Sequence, residues 1–180
     1  MEDIGVYEAP WVIFTRIGRL MEASRSSDEI LETTLQLIDE VLNADASSIV
    51  IKDPDREDRL VFRAVTGEKQ EQLQGRKMPL AEGVVGWVIR HGEPLIIPDP
   101  REDPRFYGEI DQAIDYHTQN ILCVPIKLKD RTIGAIELIN KNGKPSFTLR
   151  DRYLLMTIAG QVSLLLENAR LGERLNRIER

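Results

Sequence analysis

The chain predicts an α+β fold, in which an antiparallel sheet has helices on both of its faces. Three observations lead there. Asn120 to Asn142 holds two β-rich apolar runs, Ile121 to Leu128 and Thr132 to Ile139, joined by a short charged break, and this reads as an antiparallel hairpin. The first run is apolar on both faces near its start, with Ile121 and Cys123 on one and Leu122, Val124 and Ile126 on the other, so helices must cover both sides. Segments with helical spacing then stand at both ends of the chain, from Pro10 to Val41 and from Thr148 onward.

The elements follow in order. Pro10 suits a first helical turn, and Trp11, Ile13, Phe14, Ile17, Leu20 and Met21 make a helix apolar over much of its girth. Ser26 and Glu29 form a capping box for a second helix, with Ile30, Thr34, Leu37, Ile38 and Val41 inward and Asn43 to Asp45 as its stop. Ser47 to Ile51 and Leu60 to Val65 read as strands around the turn Asp53-Pro54-Asp55. Glu68 to Gly75 is a short helix or a loop, and Lys77 to Leu80 a short strand. Glu82 to Arg90 reads as a helix whose two glycines, each costing about 1 kcal/mol against Ala, imply close approach of a neighbour or a ligand. Pro94 to Ile97 is a further strand, Asp99 to Gly108 a loop and Glu109 to Tyr116 a helical turn before the hairpin.

Thr148 and Asp151 start the longest helix with a capping-box-like pair, and Leu155, Ile158, Val162, Leu165 and Ala169 give its core face. Leu164, Asn168, Leu171, Leu175 and Ile178 keep a 4-3-4-3 spacing, a coiled-coil seam rotated off that face. The expected organisation is a tail over 1–9, a dimerisation helix over 10–25, a domain over 26–166 and a coiled-coil extension over 167–180. A homodimer through the terminal helices should bury Trp11, Phe14, Met21, Leu164, Leu171 and Leu175.

Composition narrows the function classes. The chain of 180 residues is 42% hydrophobic, ample for a core, and its net charge of −6 with no basic block argues against nucleic-acid binding. The single cysteine, Cys123, excludes an intramolecular disulfide and fits a reducing compartment. No apolar run approaches the roughly 20 residues that span a bilayer, and Met-Glu-Asp-Ile lacks the basic start of a signal peptide, so a cytoplasmic protein without membrane contact is expected. His91 and His117 are too scattered for a metal site, and Asp99, Asp103 and Asp111 read as turn caps. Glu137, a carboxylate in an apolar strand, stands either at a wet strand end or in a binding site.

From Ser26 to about Arg170 the motifs resemble those of the GAF domain, a small-molecule-sensing module of phosphodiesterases and bacterial signalling proteins. The likeness rests on Glu82 to Trp87, Gly92 to Asp99, Asp103 to Phe106, Thr118 to Ile126, Ile133-Gly134, Glu137 to Lys141 and Glu167 to Ala169. It implies a six-stranded antiparallel sheet with terminal helices on one face and a ligand pocket with short helices on the other. It also implies a regulatory, non-enzymatic module that relays pocket occupancy to an effector, the alternative being a dimerisation scaffold with a vestigial pocket. Asn140, Lys141, Phe147 and Asp151 match four of five positions of a motif that ties the last strand to the final helix, the fifth being Arg152 instead of an acid.

By the same resemblance Ser48, Tyr107, Asp111, Thr118 and Glu137 fall at polar ligand positions, Val84 and Val85 at a phosphate-facing helix start, and Trp87 at the pocket wall. An aromatic-acid pair that reads guanine becomes Val65-Thr66, and a threonine near the phosphate becomes Ile114, which disfavours cyclic GMP and leaves a cyclic nucleotide the less expected ligand. Bilin attachment is not expected, since Asp111 to Thr118 holds no cysteine. Methionine sulfoxide reduction needs a second thiol that a lone Cys123 lacks.

Overall fold

A computed structural model of the protein describes residues 12, 15–19 and 26–178, with side chains described as far as residue 172. Helix α1 (Ser27–Leu42) is followed by strands β1 (Ala44–Lys52) and β2 (Arg59–Val65), the single turn α2 (Gln70–Leu73), β3 (Lys77–Pro79), helix α3 (Gly83–His91) and β4 (Leu95–Ile97). A 3-10 turn (Pro100–Glu102) and helix α4 (Glu109–Ile114) lead to β5 (Ile121–Leu128), β6 (Arg131–Lys141) and the long helix α5 (Leu149–Ile178). The six strands form one sheet in the order β3-β2-β1-β6-β5-β4, every neighbouring pair antiparallel. The β5–β6 hairpin lies inside it, and the short strands β3 and β4 form the edges.

Strand parity sorts the core into two layers. Leu122, Val124 and Ile126 of β5 and Ile136 and Leu138 of β6 pack against α1 and α5, with Ile17 joining the same cluster. Ile121, Cys123 and Ala135 point the other way, against Val84, Val85, Val88 and Ile89 of α3. Gly134 lets β6 lie close to β1: a Cβ there would stand 2.5 Å from the Val50 carbonyl oxygen.

The helix α1 begins at Ser26, whose hydroxyl accepts the Glu29 N–H at 3.3 Å, and ends at Asn43 in the left-handed conformation. Its inward face is turned from the expected one. Leu31, Leu35 and Leu42 are buried with Ile30, Thr34 and Ile38, while Leu37 and Val41 are only half-buried. The helix is gripped by the sheet below and α5 beside it, and two contact directions need a wider apolar face than one stripe.

The junction of β6 with α5 is tightly made. Thr148 and Asp151 cap α5 reciprocally: the Thr148 hydroxyl accepts the Asp151 N–H at 3.2 Å and Asp151 accepts the Thr148 N–H at 2.8 Å. Lys141 Nζ stands 3.1 Å from Asp151 Oδ1, donates to the Leu42 carbonyl at 2.7 Å and lies over the Phe147 ring. Asn140, at positive φ, accepts the Gln119 N–H at 2.7 Å and donates to the His117 carbonyl at 3.0 Å. Lys141, with Phe147 and Asp151, thus fastens the last strand to both terminal helices, and Asn140 ties it to the segment before β5.

On the outer side of α5, Leu149, Tyr153, Met156, Leu164 and Leu171 are exposed. With Gly160 and Glu167 they step four, three, four, four, three, four along the helix, an eleven-residue repeat that stays in line better than a heptad. The stripe therefore begins about four turns before Leu164, where the expected seam starts. Trp11, Phe14 and Met21 and the Leu175 side chain lie outside the described residues. Among the described residues no helix is long and apolar enough to cross a membrane.

Candidate functional site

Opposite the terminal helices, the sheet and α2, α3 and α4 enclose a cavity of about 80 Å³. At roughly 10–15 Å³ for each water-sized sphere, that is room for several waters or a small molecule. Parity explains its floor: with Ile136 and Leu138 directed at the terminal helices, Glu137 and Ile139 face the cavity. In register with Glu137 stand Ser48 on β1 and Cys123 on β5. Glu137 is therefore in the middle of a central strand, not at a wet strand end.

The roof comes from the loop and helices between β3 and β5. Gly83, Val84 and Val85, at the start of α3, border the cavity. Gly83 holds φ +75, a conformation that L side chains rarely adopt. Gly86 serves packing instead: a Cβ there would come within 2.4 Å of the Leu80 carbonyl oxygen. Of the two glycines, one shapes the rim and the other admits neighbouring backbone. Phe106, Tyr107, Ile110, Asp111, Ile114 and Tyr116 form a further wall.

Seven of the eight expected site residues border this cavity: Ser48, Val84, Val85, Tyr107, Asp111, Thr118 and Glu137. Trp87 does not. Its ring stacks on His91 at 4.1 Å and lies beneath the Arg105 guanidinium, on the outside of α3. The cause is helical spacing, since Val84, Val85 and Val88 take the inward face and residue 87 is turned away from it. Sequence reasoning missed Phe62, Lys69, Leu73 and Met78, which close the cavity from β2, α2 and β3. The alternation of Leu60 and Phe62 with Arg59, Val61 and Arg63 carried a usable signal for Phe62; Lys69 and Leu73 carried none, because nothing local says that the short α2 folds over the sheet.

The polar groups of the site are unevenly satisfied. Asp111 Oδ2 accepts the Thr118 N–H at 2.9 Å, tying α4 to the start of β5. The Thr118 hydroxyl is buried, with the residue 3% exposed, and has no partner. Among the described residues no donor reaches the Glu137 carboxylate. Burial first, and then the charge of Asp111, push its pKa up to about 7 from 4.5. Glu137 keeps some accessible area only because one side faces the cavity. Cys123 beside it is fully buried, and burial, then the Glu137 charge, raise its thiol well above the ordinary value. A thiol so placed is a poor nucleophile. Tyr107 donates to Glu109 Oε2 at 2.5 Å, with Glu82 also close, so its phenol is pushed upward.

A second polar cluster joins the cavity to α1. The Thr66 hydroxyl donates to Asp39 Oδ2 at 2.5 Å and accepts the Ser47 N–H at 2.9 Å, with the Ser47 hydroxyl 2.8 Å away. Ser47 and Thr66 border the cavity, while Asp39 belongs to α1, its carboxyl held above the usual range by burial. Among the described residues no group of three or more His, Cys, Asp or Glu could hold a metal ion.

The sequence pattern of the family described as GAF domain matches residues 26–166. A probable 3',5'-cyclic phosphodiesterase, pde-5, of Caenorhabditis elegans is 27% identical over 162 residues, which are 86% of this chain and 22% of that protein. The chain thus spans about a fifth of that relative's length. The GAF domain of a phosphoenolpyruvate-protein phosphotransferase from Coxiella burnetii superposes with a TM-score of 0.81 at 19% identity, over 94% of this chain and 99% of that one. The free methionine-R-sulfoxide reductase of Neisseria meningitidis, in complex with its substrate, does so with a TM-score of 0.74 at 18% identity, over 96% and 95%. At such identities the two structures speak for the fold alone.

Proposed function

The chain belongs to the GAF domain family, and from that premise we propose that it is a regulatory module whose cavity senses a small polar molecule and relays occupancy to an effector. The observation that carries this reading is the state of the cavity's polar groups. The Thr118 hydroxyl is buried without a partner, and among the described residues no donor meets the Glu137 carboxylate, which faces the cavity on one side. An unmade buried hydrogen bond costs about 1–3 kcal/mol, so a chain that keeps the Thr118 hydroxyl unpaired beside the Glu137 carboxylate gains by filling the cavity with a molecule that bonds to both. A vestigial pocket would have closed over apolar side chains at no such cost.

The relay runs through Thr66. A ligand that displaces Ser47 or Thr66 alters the bonds that hold Asp39, and with it α1, which packs with α5 in one core. The exposed stripe on α5 supports a homodimer in which the terminal helices carry the signal outward. Cyclic nucleotides are disfavoured by Val65 and Thr66, neither of which offers a stacking ring or a free carboxylate to a base. An enzymatic role is disfavoured by the buried, protonated Cys123.

A thermal-shift screen of small polar molecules on the wild type and on Thr118→Val tests the proposal. A compound that stabilises the wild type and loses its effect in the variant supports it. If no compound in a broad screen shifts either protein, the scaffold reading replaces it.

A further inference from the structure

Granting that the cavity is the sensory site, we propose that its ligand is a small organic cation, an amidinium, guanidinium or ammonium group on a compact and preferably aromatic body, seated with that group on Glu137. The charges around the cavity are the first ground. Asp111 and Glu137 are its acids, and Lys69 is its one base among the described residues. Lys69 is already engaged, with Nζ 3.1 Å from Glu68. Asp111 is engaged too, by the Thr118 N–H. Of the charged groups on the cavity, Glu137 alone remains without a donor among the described residues, on the floor of a largely apolar chamber.

The second ground is independent of the acids. The Thr118 hydroxyl, 3% exposed and without a partner, borders the same space, so a ligand carrying more than one N–H could satisfy both groups. The third is the walls. Phe62, Phe106, Tyr107 and Tyr116 surround the cavity, and aromatic faces attract cations, most when water is excluded.

The competing claim is that of an anion at the start of α3. A helix N-terminus offers roughly half a positive charge. Against it stand two acids on the cavity, Asp111 and Glu137, and a third, Glu82, at the N-cap position of α3. The acids outweigh the dipole. A neutral ligand without a donor would leave the Glu137 carboxylate buried and unpaired, which a charged group avoids only by taking up a proton.

Three isosteric probes read the charge preference directly: benzamidinium, benzamide and benzoate, compared by thermal shift and calorimetry at pH 8 on the wild type, E137Q and Thr118→Val. Benzamidinium is expected to stabilise the wild type while the other two do not, to bind at least tenfold more weakly to E137Q, and to weaken by a smaller factor in Thr118→Val. A larger effect of benzamide or benzoate would overturn the cation assignment while leaving the cavity as a ligand site. Equal binding of benzamidinium to E137Q would overturn the seat on Glu137. No effect from any of the three would also overturn the assignment, and the broad screen then decides separately whether the cavity senses anything. The wild-type charge series is decisive even if E137Q does not fold.

Discussion

Glu137→Gln should stabilise the empty protein, and by an amount that depends on pH in a definite way. The Glu137 pKa stands at about 7 in the fold against 4.5 for the free side chain. That gap corresponds to about 3 kcal/mol at 1.36 kcal/mol per unit, a ceiling because water in the cavity softens the penalty. The sign follows from proton counts. Below pH 4.5 both folded and unfolded chains hold the proton, and the group is neutral in its effect. Between 4.5 and 7 the unfolded chain has released it while the folded chain keeps it, so stability falls as pH rises. Above 7 the full penalty applies. Glutamine, shaped like the protonated acid, carries none of this slope. Urea denaturation of both proteins from pH 5 to pH 8.5 should show midpoints close together at the acid end and diverging upward. With a slope of about 2 kcal/mol per molar urea, the variant should lead at pH 8 by a margin whose ceiling is about 1.5 M. Asp39 is also raised by burial and adds a slope of the same sign, but it is common to both proteins and cancels in the difference. Parallel pH profiles, or a variant less stable at pH 8, would refute the placement of an unpartnered carboxylate in the cavity.

Asp151→Ala should cost about 3–5 kcal/mol, since both side chains of the Lys141–Asp151 pair are only 12% exposed and Lys141 would be left against the Leu42 carbonyl; an unchanged urea midpoint would contradict this. Gly134→Ala should destabilise by about 1–3 kcal/mol, because the new Cβ would stand 2.5 Å from backbone that cannot withdraw without opening β1 from β6; the same denaturation checks it. Calorimetry with cyclic GMP should show no submicromolar binding, and a dissociation constant in that range would reverse the reading of Val65 and Thr66. Tyr153→Glu combined with Leu164→Glu should leave the fold intact and convert a dimer to a monomer in light scattering; a wild type that is monomeric at micromolar concentration would remove the dimer from the proposal.

How far the sequence carried depended on how local each signal was. The hairpin, the Ser26 and Thr148 caps and the α3 glycines were all legible, because strand alternation, capping and backbone freedom act over a few residues. The face of α1 was misjudged by one stripe, since it depends on α5, which is more than a hundred residues away in the chain. Trp87 shows the same limit: a large aromatic in a glycine-marked helix reads as a pocket wall, yet Val84, Val85 and Val88 had already claimed the inward side. Glu137 could be flagged as anomalous but not placed, because its direction follows from which neighbours pair with β6.

Thr66 is the most instructive position. Read along the chain it was a loss, an acid gone from a base-reading pair. In the fold its hydroxyl bonds at once to Ser47 of β1, a strand bordering the cavity, and to the Asp39 carboxylate of α1. An aspartate there would set a second buried carboxylate against Asp39, which burial already holds above its usual range, and like charges at that separation would cost several kcal/mol or force a proton onto one of them. Keeping Asp39 on α1 and reading a base with an acid at position 66 are therefore competing demands. The presence of Asp39 gives threonine at position 66 a structural reason, and the same reason supports the proposed coupling of the cavity to α1 over the selection of guanine.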